Sequence, residues 1–397
     1  MLFGVFFLVS ALALRVKKIK TFQVMALLEQ AQRMESCGRD VIHMEVGEPD
    51  FPTPEPIVAA AQEALAAGRT KYTPAAGLPE LRCAIARYYD QRYGVEINPA
   101  RILITPGASG ALSLVTALLF NPADGVLLSD PGYPCNSSFL HLINAEPQPI
   151  SVSEHSGFQL TAELVDRYWQ ASTQGVMIAT PSNPTGTLSE LHDLSQIKAA
   201  VDRRNGALLV DEIYQELVYD TKSKTALSLT DEENSLFVIN SFSKYFCMTG
   251  WRLGWLVAPE SLVPDLEKMA QNFYLAAPTL SQYAAMAAFL PETLAQLDAN
   301  RDELRRRRNF LLSRLPALGF KVPVTPQGAF YLYADVSQLT DDSVQFCQRL
   351  LSETGVAITP GFDFGENAPL KYVRFAYTCS IEHMDDALQR IERFVNG

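Results

Sequence analysis

The sequence predicts an α/β protein, with a mostly parallel sheet covered by helices and joined to a smaller α+β domain. Two observations in the middle of the chain predict the sheet. Short apolar runs recur without apolar/polar alternation, as strands buried on both faces do. Helical patterns fill the gaps between them, as parallel crossovers require. A third observation predicts the second domain: near the C-terminal end a long helix gives way to strand-like pieces and further helices.

The first element along the chain is an apolar stretch, residues 1–14, followed by Arg15, Lys17 and Lys18. It is shorter than the ~20 residues that cross a bilayer. Its positive charge follows the apolar stretch, whereas a secretory signal carries it in front. It is therefore expected to be an apolar N-terminal arm packing on a partner subunit, or the product of an upstream start codon. Residues 54–67 and 78–93 read as helices ended by Gly68 and Gly94, because glycine takes the left-handed conformation of a helix C-terminus without strain. The apolar runs follow: 102–105 before PGASG, 126–129 before DPGYP, 176–179 before TPSNPTG, 207–210 before DEIY, 236–239 before NSFSK, and 255–258. Residues 109–119 and 188–205 read as helices between them. In such a sheet ligands bind beyond the carboxyl ends of the strands, and the polar clusters recur there. Residues 294–315 read as the long helix, 329–334 and 371–376 as strands and 343–354 as a helix, with a last helix after His383. The expected division is a large α/β domain over 54–294 and a small α+β domain made of 15–53 plus 295–397.

Composition narrows the function. A chain of 397 residues suggests about two or three domains. Its net charge of −11 makes nucleic acid a poor partner, because neutralising phosphates needs clustered Lys and Arg. The run Arg305 to Arg308 is the exception, and is expected to form a solvated helix face beside Leu304, Leu311 and Leu315. The 6 cysteines and 5 histidines show no metal-ligand spacing and no disulfide framework. They are expected to be the reduced thiols and dispersed imidazoles of a cytoplasmic protein without a metal site.

The chemistry is carried by side chains at the strand ends. Lys244 closes the tetrapeptide SFSK after an apolar run. Partial desolvation there lowers an amine's pKa and frees the lone pair that a Schiff-base lysine needs. A surface lysine on a turn explains the tetrapeptide equally well. Its neighbours shift the balance. Ser241, Ser243 and Arg252, the last within TGWRLG, suit a phosphate beside the amine. In PGASG, Ala108 and Ser109 open a helix whose N–H groups and dipole can face an anion, although tight packing also explains a glycine turn. Asp211 closes another apolar run, where a carboxylate is costly unless paired. A protonated pyridine nitrogen would pair it, and so would a structural salt bridge. Tyr214, and Asn183 in SNPTG, can donate to a phenolic oxygen on such a ring, and Tyr133 in PGYP can stack on its face.

In this order, SNPTG, DEIY, SFSK and TGWRLG resemble the class I/II aminotransferases, which are fold-type I PLP-dependent enzymes. GEPDFPTP from Gly47 and KYTPAAGLPELR from Lys71 are similar to the N-terminal motifs of that family, and GAFYLY, PGFDFG and KYVRFAY to its C-terminal domain. The resemblance spans residues 17–397 and is strongest to the bacterial aspartate/alanine-type branch.

The resemblance implies the cofactor pyridoxal 5′-phosphate (PLP) and a ping-pong transfer of an α-amino group between an amino acid and a 2-oxo acid. It also implies roles. Lys244 would hold the cofactor covalently and move the substrate proton. Asp211 would pair the pyridine nitrogen, Asn183 and Tyr214 would bond the 3′-oxygen, and Tyr133 would stack on the ring. Ala108, Ser109, Ser241, Ser243 and Arg252 would hold the phosphate, with Tyr72 supplied by a second subunit. Arg374 would grip the substrate α-carboxylate as a bidentate fork, helped by Asn183 and the Gly47 backbone. From the residues alone, an ion pair that stabilises the fold explains Arg374 as well. The implied assembly is a homodimer with composite active sites and no membrane or nucleic-acid partner.

Cofactor residues are shared across reactions, so a C–S lyase or synthase on the same fold is the first alternative. A non-catalytic effector-binding domain of a transcription regulator is the second. The segment ahead of GEPDF is neither basic nor long enough for the DNA-binding domain expected there. For the substrate, residues 272–280, NFYLAAPTL, lack the arginine that some dicarboxylate-specific relatives place there. A neutral amino donor such as alanine is therefore expected, with 2-oxoglutarate or pyruvate as acceptor.

Overall fold

The computed structural model describes residues 12–21, 23–229 and 235–397. Most of the expected N-terminal arm, residues 1–11, lies outside them. Seven strands form the large sheet: β1 (Ile102–Thr105), β2 (Gly125–Asp130), β3 (Glu146–Ser151), β4 (Thr173–Ala179), β5 (Ala207–Asp211), β6 (Leu236–Ser241) and β7 (Gly254–Val257). Their spatial order is β1-β7-β6-β5-β4-β2-β3. β7 pairs antiparallel with both β1 and β6, and all other pairings are parallel. β7 alone is therefore reversed, and the carboxyl ends of the other six strands share one edge.

Successive residues of these strands feed opposite cores. Ile104, Leu127, Val176, Leu208 and Val238 join one buried cluster, while Leu103, Val126, Met177, Leu209 and Phe237 join another. Both faces of the sheet are thus covered, which explains the unbroken apolar runs. The helix Gly107–Leu119 packs on β6 and β7, and Leu191–Asp202 packs on β5. β3 was not legible as a strand. Its sequence EPQPIS carries two prolines, which cannot donate to a ladder, and β3 tolerates them at the edge of the sheet.

The long helix runs from Pro291 to Arg314. Its arginine run is a solvated face only in part: Arg305 and Arg306 keep 43% and 71% of their side chains exposed, while the other two arginines correct the expectation. Arg307 and Arg308 are only 5% and 3% exposed. Arg307 pairs with Asp50 at 2.7 Å over the Phe51 ring, and Arg308 pairs with Asp220 over the Tyr219 ring. Planar guanidinium groups can pair and stack at once, so they fill an interior seam that leucine spacing did not mark. Beyond this helix, Tyr331–Asp335 and Thr359–Pro360 flank Tyr372–Ala376 in an antiparallel sheet. Ile42–His43 pairs with Val356–Ala357, which ties the N-terminal segment to the C-terminal part of the chain. The cysteines are all free. No helix among the described residues is long and apolar enough to cross a membrane.

Candidate active site

The shared strand edge gathers the polar clusters. β6 ends at Ser241, and the turn after it is anchored by Phe242, whose ring packs 4.9 Å from Trp255 and 5.1 Å from Phe246. That anchor fixes Lys244 two residues on. Its Nζ donates to the Gly47 carbonyl at 2.6 Å. Burial lowers its pKa to about 8, with Arg374 and Arg252 adding to the shift and Glu48 opposing it.

Asp211 closes β5 and is buried. Its Oδ1 accepts from the Ile213 N–H at 3.0 Å. Burial raises its pKa to about 6. Among the described residues no Lys, Arg or His forms an ion pair with it, so a structural salt bridge does not account for it. A buried carboxylate costs several kcal/mol unless a cation meets it. A protonated ring nitrogen is such a cation.

Arg374 is the complementary case. It is buried on Tyr372–Ala376, between the Tyr331 ring at 4.3 Å and the Phe364 ring at 4.8 Å. Its Nη1 donates to Asn183 Oδ1 at 2.9 Å and its Nη2 to the Glu45 carbonyl. Thr359 Oγ1 lies 3.4 Å from Nη2 and donates to the same carbonyl at 3.0 Å. Its Nε has no partner. No carboxylate among the described residues pairs with it, so a fold-stabilising ion pair does not account for it either. A buried cation with free donors suits a small anionic substrate.

The expected phosphate residues lie along the same rim. Ser241 Oγ donates to Ser243 Oγ at 2.9 Å and accepts from the Ser243 N–H at 3.0 Å. β7 starts at this edge because it runs in reverse, which brings Arg252 here just ahead of Gly254. Arg252 Nη1 donates to the Thr249 carbonyl at 2.9 Å, and its guanidinium lies against Gly107. Gly107, Ala108 and Ser109 form the first turn of their helix, with Ser109 exposed. Hydroxyls, one arginine and a helix N-terminus thus converge, as a phosphate requires.

Tyr214 is buried, and its hydroxyl hydrogen-bonds the Tyr331 hydroxyl at 2.9 Å. Tyr331 Oη lies over Gly47, where a side chain would collide with it. Tyr133 is partly buried and within electrostatic reach of Tyr331 and Asp211. Burial raises its pKa, which keeps the phenol neutral. Tyr72 differs from the rest. It is 82% exposed, and no hydrogen bond or ring contact among the described residues ties it to the others. Tyr331, Phe364, Thr359 and the Glu45 carbonyl were not anticipated. The first two stand in the quoted motifs GAFYLY and PGFDFG. A backbone carbonyl leaves no trace in residue type.

A cavity of about 300 Å³ opens beside Tyr133 and is also lined by Cys135, Phe362 and Phe364. Lys18 and Lys20 stand at it, but they pair with Glu146 at 2.6 Å and Glu366 at 2.8 Å.

Comparisons with known proteins bear on the family and the fold. The family model for aminotransferases of class I and II matches residues 39–391. The valine–pyruvate aminotransferase of Mycobacterium tuberculosis is 38% identical over 94% of this chain and 96% of its own length. The aspartate aminotransferase of Thermotoga maritima is 34% identical over 96% of this chain and 99% of its own. The crystal structure of an aminotransferase from Mycobacterium tuberculosis superposes with a TM-score of 0.93 at 37% identity, covering 97% of this chain and 99% of that one.

Proposed function

The chain belongs to the class I and II aminotransferases, and on that premise we propose which residues run its reaction, which amino acids it takes and how it assembles. It is a PLP-dependent enzyme that moves an α-amino group between an amino acid and a 2-oxo acid. A lyase or synthase on this fold is not favoured, since the relatives above are named aminotransferases. When bound, PLP supplies a carbonyl carbon that takes the nitrogen and a ring that draws electrons from the substrate Cα.

The protein's own groups supply the rest. Lys244 holds the cofactor, and its Nζ, with a pKa lowered to about 8, takes and returns the substrate proton near neutral pH. Asp211 keeps the ring nitrogen protonated by offering its otherwise unpaired charge. Asn183 and Tyr214 hold the ring oxygen, and Tyr133 covers the ring face. Ala108, Ser109, Ser241, Ser243 and Arg252 hold the phosphate. Arg374 grips the α-carboxylate, with Asn183 and the Gly47 backbone beside it. The observation that carries this assignment is the meeting of an amine whose pKa is lowered to about 8 and an unpaired buried carboxylate at the strand edge with an unpaired buried guanidinium that faces them from the smaller sheet. We place the large domain at 54–294 and the small one at 15–53 plus 295–397, so Arg374 closes on the cofactor from the small domain.

The preferred donors are neutral amino acids such as alanine, with pyruvate or 2-oxoglutarate as acceptor. The lysines at the cavity beside Tyr133 support this choice, because Lys18 and Lys20 are exposed and engaged by Glu146 and Glu366, so neither is a buried cation dedicated to a second carboxylate. In a panel of amino donors, each mixed with holoenzyme and followed by loss of the cofactor's visible absorbance, alanine or another neutral donor should react efficiently. Aspartate as the sole efficient donor would overturn the assignment.

The enzyme works in the cytoplasm as a homodimer with composite sites, and the exposed Tyr72 reaches the partner's phosphate. A Lys244→Ala chain then supplies a working Tyr72 but no amine. A Tyr72→Glu chain supplies Lys244 but sets a negative charge against the partner's phosphate. Co-refolding the two inactive chains at equal ratio makes about half of all dimers mixed, each with one intact site, so activity should return to roughly a quarter of wild type. No recovery despite demonstrated subunit exchange would place Tyr72 in its own chain's site.

A further inference from the structure

The turn that carries Tyr133 and the loop that packs against Arg374 are fastened together at a point that the reaction itself does not use. β2 ends at Asp130, and Tyr133 follows three residues later. The loop comprises Gly361–Phe364 and residues 365–367, and its Phe364 ring lies 4.8 Å from the Arg374 guanidinium. The Asp130 carboxylate accepts from the Glu366 N–H at 3.0 Å and from the Asn367 N–H at 3.3 Å. In return, the Asn367 side-chain amide donates to the Asp130 carbonyl at 3.3 Å and to the Val152 carbonyl at 2.9 Å. The Gly132 N–H donates to the Phe364 carbonyl at 2.8 Å. The carboxylate has room because residue 365 is glycine: a Cβ there would run into Asp130 Oδ1. Residue 365 also has a φ of 156°, which side-chain-bearing residues rarely adopt. Asp130 is itself buried, and burial raises its pKa, so ionising it there costs free energy that the two N–H bonds offset.

We propose that Asp130 is a positioning residue: by clamping the backbone of residues 365–367 it sets Phe364, and through Phe364 the Arg374 guanidinium, at a fixed place relative to the cofactor face beside Tyr133. This placement rests on the assignment of Arg374 as the carboxylate clamp. Asp130 is not among the residues assigned to hold the substrate or the cofactor, although it lines the cavity beside Tyr133. Its loss should loosen the clamp while the groups that hold the cofactor stay in place.

The test compares steady-state kinetics and cofactor absorbance of the holoenzyme for Asp130→Ala, Asp130→Asn, Gly365→Ala, the double variant Asp130→Ala/Gly365→Ala, and Arg374→Leu. Asp130→Ala should raise KM for the amino donor and the 2-oxo acid together by about tenfold or more, with kcat and visible absorbance within about twofold of wild type. Asp130→Asn should fall between, since an amide oxygen keeps one of the two N–H bonds. Gly365→Ala should raise KM on its own. Gly365→Ala should raise KM less in the Asp130→Ala background than in the wild type, because the new methyl then has no carboxylate to strike and only the backbone strain at residue 365 remains. Should Asp130→Ala fail to fold, Asp130→Asn and Gly365→Ala read the same KM. Unchanged KM in the Asp130 and Gly365 variants, with KM raised in Arg374→Leu, would overturn the positioning role. Loss of cofactor absorbance in step with KM would overturn it too, by showing a general structural role. Unchanged KM in Arg374→Leu would instead refute the clamp assignment beneath it.

Discussion

Lys244→Ala is expected to lower kcat by more than about a hundredfold, because covalent and proton-transfer roles each contribute several orders of magnitude. Nothing nearby can take its place. Lys244 Nζ is held at 2.6 Å from the Gly47 carbonyl, and the other assigned cations of the site, Arg252 and Arg374, carry planar guanidinium groups in place of the single amine the chemistry needs. The direction of the pKa shift matters here. Burial disfavours the ammonium, so the neutral amine becomes the majority form above pH about 8 rather than above the ordinary lysine value. Lys244→Arg should be as inactive as Lys244→Ala, since it keeps the charge and loses the titratable amine. A Lys244→Ala enzyme that retains more than about a hundredth of wild-type kcat would contradict the assignment.

Arg374→Leu is expected to lower kcat/KM for donor and acceptor alike by about a hundredfold, the scale of losing one partner of a buried charged hydrogen-bond pair. The cofactor's visible absorbance should survive. The expectation follows from the unneutralised guanidinium, whose Nε is without a partner and whose Nη groups meet only a carbonyl, an amide oxygen and a hydroxyl. Steady-state kinetics with each substrate varied in turn, alongside an absorbance spectrum, checks both halves. Loss of the cofactor with unchanged KM would place Arg374 in the cofactor site rather than the substrate site.

Much of the fold was legible because it depends on local patterns. Buried strands such as β1 and β5 read as unbroken apolar runs, and Gly94 marked the end of the helix Pro79–Tyr93. β3 was not legible, because its prolines argue against a strand unless its edge position is known. The shorter helices Val263–Phe273 and Thr279–Met286 were not anticipated either, since tertiary packing rather than a long periodic pattern holds them. In the site, side chains with strong chemistry at strand ends were visible one by one. The contacts between distant segments were not. Glu45 serves Arg374 through its carbonyl, and Asp130 meets residues 366 and 367 across more than half the chain. Arg307 and Arg308 show the same limit, since only the fold reveals that Asp50 and Asp220 face them.

Mapping the cofactor's attachment decides whether Lys244 is the residue that holds it. The PLP-loaded enzyme would be reduced with borohydride, digested, and its peptides sequenced by mass spectrometry. A single modified residue is expected, Lys244, in the peptide that contains SFSK, and no modification when an amino donor is added before reduction. Attachment at another lysine, or no attachment in enzyme that is active and saturated with PLP, would contradict this assignment.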